Sequence, residues 1–104
     1  MFEVREAKNY TKWIKGLKDR RARIRIGMRI ERLQQGNFGD SKDFGDITEL
    51  RIDCGPGYRV YCTRHGKLLY ILLAGGDKST QKKDIKTARE MAQNLREGKD
   101  DDRF

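Results

Sequence analysis

The sequence predicts a small α+β domain in which helices pack on an antiparallel sheet. Two patterns lead to this fold class: the centre of the chain alternates apolar and polar residues between glycine-containing turns, and both flanks carry apolar residues at helical spacing. At 104 residues, of which 36% are hydrophobic, the chain can bury one thin core. We therefore expect a single domain over residues 1–96, with helices on one face of its sheet, and a flexible acidic tail over residues 97–104.

The N-terminal part predicts a strand followed by a helical hairpin. Residues 2–5 alternate apolar and polar side chains, which is typical of a short strand. Asn9 is available as the N-cap of a first helix. The apolar residues of that helix recur at helical spacing: Tyr10, Trp13, Ile14 and Leu17. Residues 18–35 fit both a strand and a helix, but their length and the glycine at position 36 favour a helix.

The C-terminal part predicts a three-stranded antiparallel meander and a last helix. After a loop over residues 36–45, the strands are expected at 47–54, 58–64 and 67–74, joined by Gly55-Pro56-Gly57 and by His65-Gly66. The last helix begins near Ser79 or Thr80, either of which can cap it. Its apolar face is formed by Ile85, Ala88, Ala92 and Leu95.

The register of the meander decides which side chains share a face. A three-residue Gly55-Pro56-Gly57 loop would pair Ile52 with Val60 on the helix side, and Arg51 with Tyr61 on the opposite side. A two-residue turn at His65-Gly66 would then add Tyr70 to the polar face. That face is expected to carry Glu49, Arg51, Asp53, Arg59, Tyr61 and Tyr70, whereas Tyr58 faces the helices.

The cysteines and the hydropathy limit the class of protein. In this register Cys54 and Cys62 lie about 13 Å apart along the ladder, too far for a disulfide, so we expect two free thiols. Their number and spacing predict neither a disulfide framework nor a metal site. The sequence contains no apolar segment long enough to span a membrane and no signal peptide, so we expect a cytoplasmic protein.

The charge indicates a polyanionic partner. The chain has 24 basic and 16 acidic residues, a net charge of +8. The predicted second helix carries a run of arginines that is either a solvated face or an RNA-contacting surface. These arginines are Arg20, Arg21, Arg23, Arg25, Arg29 and Arg32.

Two features of the meander could bind an anion. Arg51 and Arg59 on one face would gain from a phosphate that accepts bidentate hydrogen bonds, or they could form a salt-bridge ladder with Glu49 and Asp53. The glycine-rich turn that leads into the last helix, residues 75–80, is either an anion site or an ordinary turn. It lacks the spacing of a Walker A loop, which excludes a nucleotide hydrolase of that class.

Several of these motifs together resemble a known family. Glu49-Leu50-Arg51, Gly57-Tyr58-Arg59-Val60-Tyr61 and Leu72-Leu73-Ala74-Gly75-Gly76-Asp77-Lys78, followed by Gln81 and Asp84-Ile85, are similar to the addiction-module killer proteins, HigB-like members of the RelE/ParE toxin superfamily. The order of predicted elements is also RelE-like, and the likeness covers nearly the whole chain.

The resemblance implies a type II toxin-antitoxin toxin. Such a protein would be a metal-independent endoribonuclease without a cofactor, which cleaves mRNA on the ribosome and so inhibits translation. Its partners would be a cognate helix-turn-helix antitoxin, the ribosome and mRNA. The superfamily also contains ParE-like toxins that inhibit DNA gyrase without chemistry of their own, and a basic RNA-binding module is a further alternative.

RNA cleavage through the 2′-hydroxyl needs cations, a base and an acid. Arg51 and Arg59 can stabilise the charge of the phosphorane, and Lys78 can hold the scissile phosphate or donate a proton. Tyr61 can stack on a base or assist proton transfer. For the general base, Glu49 is the first choice.

Asp53 is the second choice of base and otherwise a substrate contact. The expected substrate-binding residues are Asp53, Tyr58, Tyr70, Arg20, Arg21 and Arg25. His65 is the only histidine, so a two-histidine ribonuclease mechanism within one chain is excluded, and we expect it to be an exposed turn residue.

Overall fold

A computed structural model describes all 104 residues. The chain folds into a five-stranded mixed sheet with helices on both faces. The elements in chain order are β1 (Glu3–Glu6), α1 (Lys8–Gly16), α2 (Arg20–Gln34), β2 (Ser41–Asp43), β3 (Thr48–Ile52), β4 (Tyr58–His65), β5 (Leu69–Asp77) and α3 (Gln81–Glu97). The strand order is β1-β5-β4-β3-β2, with β1 parallel to β5 and the other neighbours antiparallel. The predicted fold class is therefore confirmed, including the helical hairpin, the meander and the C-terminal helix.

Two hydrophobic cores lie on opposite faces of the sheet. The hairpin of α1 and α2 packs Ile26 and Leu33 against Leu50 and Val60. On the other face, α3 packs against strand residues that include Tyr61 and Leu73, with Ala88, Met91 and Ala92 at its centre. The prediction that one face stays free of helices is wrong, because the central strand β5 is apolar on both sides over residues 69–74. An unbroken apolar run such as residues 68–74 is typical of a strand that is buried on both faces.

The helix boundaries follow local capping chemistry. Asp19 caps α2, since its carboxylate accepts a hydrogen bond of 3.0 Å from the Ala22 amide. The prediction of Asn9 as the cap of α1 is wrong: the helix begins at Lys8 after Ala7, and the Asn9 side chain instead contacts the Met91 sulfur at 3.7 Å. The short strand β2, which lies within the predicted loop, has too few residues to show an alternating pattern.

The β3–β4 register differs from the predicted one by two residues. Arg51 pairs with Arg59 and Ile52 with Tyr58, so the connecting loop has five residues, 53–57, in place of three. A shift of two residues leaves every side chain on its predicted face. Glu49 and Tyr61 therefore remain on the same face as the two arginines, and the arginines become direct cross-strand neighbours.

The β4–β5 register reverses the predicted face of the β5 residues next to the turn, Tyr70 among them. The turn between the strands has three residues, 66–68, in place of the predicted two, so Arg64 lies opposite Tyr70. The Tyr70 ring then packs in the core under the helical hairpin, with its centroid 5.0 Å from that of Phe2 and 5.5 Å from that of Phe38. The prediction that Tyr70 joins the polar face is wrong.

The glycine pair at the end of β5 allows helices to approach the strand from both sides. A β-carbon on Gly75 would lie 2.1 Å from a ring carbon of Trp13 in α1. A β-carbon on Gly76 would lie 1.9 Å from a carboxylate oxygen of Asp84 in α3. The two glycines are therefore required by packing, whatever the adjacent turn binds.

The residues after α3 fold back onto the N-terminus of α1. The amides of Lys8 and Asn9 donate to the carbonyls of Phe104 (3.3 Å) and Arg103 (2.9 Å), and so satisfy two donors of the helix end. The Arg103 guanidinium pairs with the Asp101 carboxylate at 2.8 Å. The mobility of this tail stays a prediction. None of the helices is long and apolar enough to cross a membrane.

Candidate active site: a cationic cleft beside the β3–β4 loop

A cleft of about 300 Å³ opens where β3, β4 and the end of β5 meet. It brings together three of the predicted catalytic side chains, Arg51, Arg59 and Lys78, with Asp53 at its rim. The other lining residues are Asp40, Ile52, Gly55 and Gly57. The lining contains three cations and two carboxylates, and the guanidinium and ammonium groups of the cations are donors that suit a phosphate.

The pairing of the strands places Arg51, Arg59 and Lys78 in the cleft. Arg51 and Arg59 face each other across β3 and β4. Tyr58 pairs with Asp77, so Lys78, the next residue, lies beside the β3–β4 loop. A β-carbon on Gly57 would lie 2.9 Å from Lys78 Cε, and Gly57 has φ +81°. This glycine therefore allows the turn and also leaves room for the lysine side chain.

One buried carboxylate holds the two arginines. Glu49 has no exposed surface. Its Oε1 accepts a hydrogen bond of 2.9 Å from Arg51 Nε, and its Oε2 lies 3.7 Å from Arg59 Nε. Gln81, the first residue of α3, donates to the same Oε2 at 2.9 Å. Both oxygens of Glu49 are thus occupied by protein donors.

The environment keeps Glu49 ionised. Burial by itself raises the pKa of the carboxyl group, but hydrogen bonds from Gln81 and Arg51 and the charge of Arg51 outweigh it, so the net pKa is lowered. In return, the hydrogen bond to Glu49 raises the pKa of Arg51. A charged, hydrogen-bonded carboxylate inside the protein is a firm anchor for cations and a weak proton acceptor.

The two arginines differ in what they can offer a ligand. The Arg59 side chain is 11% exposed and donates to the Gly57 carbonyl at 3.0 Å, and its Nε is buried without a hydrogen-bond partner, so it offers a ligand little accessible surface. The Arg51 side chain is 35% exposed and has donors left for a ligand. The alternative of a salt-bridge ladder is realised only in part, because Glu49 pairs with the arginines and Asp53 forms no salt bridge.

Tyr61 lies on the predicted face but is covered by α3. It is fully buried, its hydroxyl makes no hydrogen bond, and burial together with the neighbouring Glu49 charge raises its pKa. A ring without exposed surface does not stack on a base, so the stacking part of the prediction for Tyr61 is wrong.

The remaining predicted residues lie around the cleft or away from it. Tyr58 faces the helical hairpin, where its ring centroid is 6.3 Å from that of Trp13, so it does not line the cleft. Arg20 and Arg21 are exposed at the start of α2. Arg25 is also exposed, and its guanidinium reaches the Asp53 carbonyl at 3.4 Å. This contact joins the basic face of α2 to the rim of the cleft.

Two residues outside the predicted set contribute to the site. Gln81 belongs to the quoted motif and follows the Gly75–Lys78 turn, but only the packing of α3 shows that its amide reaches Glu49. Asp40 comes from the loop before β2, and no sequence pattern connects it to Arg51. His65 is exposed, as predicted, but it is the last residue of β4 and pairs with Leu69, so its placement in the turn was wrong.

Comparison with known proteins identifies the family. The family model described as "Phage derived protein Gp49-like (DUF891)" matches residues 12–96. An uncharacterized protein of Haemophilus influenzae is 52% identical over 94 residues, which cover 89% of this chain and 95% of that protein. No solved structure matches the chain significantly. The chain therefore belongs to the Gp49-like family of phage-derived proteins, a toxin-antitoxin-associated family of RelE-like toxins.

Proposed function

We propose that this protein is a HigB-like toxin of a type II toxin-antitoxin system and acts as a ribosome-dependent endoribonuclease that cleaves mRNA. The observation that carries the proposal is the cationic cleft: Arg51 and Arg59 are paired across two strands and share one buried carboxylate, with Lys78 beside them. Cationic donors held in fixed positions in a cleft suit a reaction that builds negative charge on phosphate. The toxin-antitoxin association of the family supports it further.

The chemistry would proceed through the 2′-hydroxyl next to the scissile phosphate. Attack of that oxygen on phosphorus forms the new bond, and the 5′-oxygen leaves, giving a 2′,3′-cyclic phosphate and a 5′-hydroxyl end. Arg51, with exposed donors, and Lys78 would contact the phosphorane oxygens. Arg59 is mostly buried, so it would stabilise the phosphorane through its positive charge and without direct contact.

The proton transfers need groups that reach the substrate. Glu49 has no exposed surface and both of its oxygens are engaged, so we assign it to holding the arginines. Asp53 is exposed at the rim of the cleft and is the better candidate for the base that accepts the 2′-hydroxyl proton. Lys78 would return a proton to the leaving 5′-oxygen.

The arginines of α2 would extend the contact with RNA. Arg20, Arg21 and Arg25 are exposed, and Arg25 lies next to the cleft. Such cations bind the phosphate backbone through charge, so binding should weaken as salt increases. A cognate helix-turn-helix antitoxin would neutralise the toxin, and the ribosomal substrate places its action in the cytoplasm.

Primer extension on mRNA during in vitro translation tests the proposal. We expect codon-aligned cuts with the wild-type protein, and a loss of about a hundredfold or more in cleavage rate for Arg51→Ala and Lys78→Ala. Arg5→Ala is the matched control, since Arg5 is exposed on β1 at the far end of the strand order and its removal costs the same charge. Intact mRNA together with trapped gyrase-DNA complexes would favour a ParE-like toxin. Cutting of free RNA without ribosomes would contradict the ribosome dependence alone, and binding without cutting would leave a basic RNA-binding module.

A further inference from the structure

Arg29 differs from the other arginines of α2 because its side chain turns toward the sheet. Its guanidinium donates to three backbone carbonyls: Phe38 at 2.7 Å, Asp40 at 2.9 Å, and Arg51. The first two acceptors belong to the loop before β2, and the third lies in β3. One planar side chain thus connects a helix, a loop and a strand.

This contact fixes the backbone of the most exposed cleft arginine. The carbonyl of Arg51 accepts from Arg29, and the amide of Arg51 donates to the carbonyl of Asp40 at 2.9 Å. The Asp40 carbonyl is itself one of the acceptors of Arg29. Arg29 therefore holds both polar backbone groups of Arg51: the carbonyl directly, and the amide through the Asp40 carbonyl.

The local sequence makes room for this guanidinium. Gly39 lies between the two loop acceptors, has φ +60°, and a β-carbon on it would lie 3.0 Å from Arg29 Nη2. Burial lowers the pKa of Arg29, and its Nε is buried without a hydrogen-bond partner. Placing a cation in a half-buried site with only carbonyl partners costs free energy. A guanidinium suits this site because its donors form a planar fork that reaches all three carbonyls.

We propose that Arg29 is a positioning residue for the cleft: by holding the loop carbonyls and the Arg51 carbonyl together, it sets the direction in which the Arg51 guanidinium points. This proposal rests on the proposed function for its activity readout. A lysine at this position keeps the charge, but its single ammonium does not reproduce the fork.

The first test is a double-mutant cycle in the translation-coupled cleavage assay. We expect Arg29→Lys to lower kcat about tenfold with little change in KM, because RNA binding through charge is preserved while the reacting cation is displaced. In the Arg51→Ala background, Arg29→Lys should cause no further loss, since the group that it positions is gone. A further tenfold loss in that background would overturn the proposal.

A second perturbation avoids the removal of Arg29. Gly39→Ala should displace the guanidinium and reproduce the kcat defect of Arg29→Lys. Gly66→Ala is the matched control, because Gly66 has a similar φ of +73° but a β-carbon there meets nothing within 4 Å. Equal defects in both glycine variants would contradict the role of Arg29.

Hydrogen exchange separates this proposal from the proposed function. In Arg29→Lys, the amide of Arg51 should exchange at least tenfold faster, while the amide of Val60 in the neighbouring strand keeps its protection. Unchanged protection of the Arg51 amide would overturn the positioning role. If wild-type protein leaves translated mRNA intact, the proposed function fails, and the exchange result still decides the role of Arg29.

Discussion

Replacing Glu49 by glutamine separates an anchoring role from proton abstraction. The substitution keeps the volume and removes the negative charge that Arg51 and Arg59 share. At the 3.7 Å between Glu49 Oε2 and Arg59 Nε, the attraction between two charges is about 4 kcal/mol at an effective dielectric constant of about 20. Glutamine still accepts a hydrogen bond, and Arg59 keeps its bond to Gly57, so we expect about half of this, about 2 kcal/mol of unfolding free energy.

A loss of this size is measurable in a domain of this length. About 2 kcal/mol corresponds to a fall in Tm of about 10 °C. Urea unfolding followed by far-UV circular dichroism gives the free energy directly. Glu3→Gln is the control, because Glu3 pairs with Arg5 on the surface, where a salt bridge contributes about 0 to 1 kcal/mol.

The difference in unfolding free energy between wild type and Glu49→Gln should depend on pH with a definite sign. The pKa of Glu49 is lower in the folded state than its ordinary value of 4.5, which applies to the unfolded chain. The stabilisation by the carboxylate is therefore complete above that value and is lost as the pH falls through the folded pKa. We expect the gap between wild type and Glu49→Gln to be constant from about pH 5 upward and to close below about pH 4.

Kinetics then decide between the two roles. If Glu49 anchors the arginines, Glu49→Gln lowers cleavage about tenfold or more and keeps the acidic limb of the pH-rate profile, which belongs to another carboxylate. A variant with wild-type stability whose acidic limb disappears would refute the anchoring argument and identify Glu49 as the base.

Three further predictions concern packing, thiol reactivity and the tail. Gly75→Ala should lower the urea midpoint strongly, since its β-carbon would lie 2.1 Å from the α1 tryptophan, whereas Gly27→Ala, in an open helical site, should raise stability by about 0.5–1 kcal/mol. In a thiol-reagent assay of native protein, Cys62 should react far more slowly than the half-buried Cys54, because burial raises the pKa of Cys62 to about 12; equal rates would contradict its burial. Deletion of residues 99–104 should lower Tm by a few degrees, because it removes the two carbonyls that accept from the first amides of α1; an unchanged Tm would contradict this role and favour the predicted flexible tail.

Much of the site was accessible from the sequence because side-chain direction in a strand has a short, local period. Glu49 and Arg51 alternate with apolar residues in β3, and Arg59 does the same in β4, so their common face could be predicted without the correct pairing. The two-residue error in register did not matter for this reason. The length of the β4–β5 turn did matter, because a turn of three residues in place of two changes the register by an odd number of residues, which reverses the face and carries Tyr70 into the core.

Burial was harder to predict, because it depends on elements that are distant in sequence. Glu49 and Tyr61 have polar groups and were expected on an open face, yet α3 covers both. The covering helix also contributes Gln81, which is 32 residues away from Glu49 along the chain. Alternation in a strand says which way a side chain points and nothing about what lies above it.

The sequence by itself determined the types of most elements, the shared face of Glu49, Arg51 and Arg59, and the positive charge of the domain, because these depend on short-range periodicity and on composition. The tertiary structure alone decided that Glu49 is a buried anchor and that Arg29 points inward to the Arg51 backbone. Both results depend on long-range packing: α3 closes over the sheet, and α2 lies close enough to the loop before β2 for one guanidinium to meet three carbonyls.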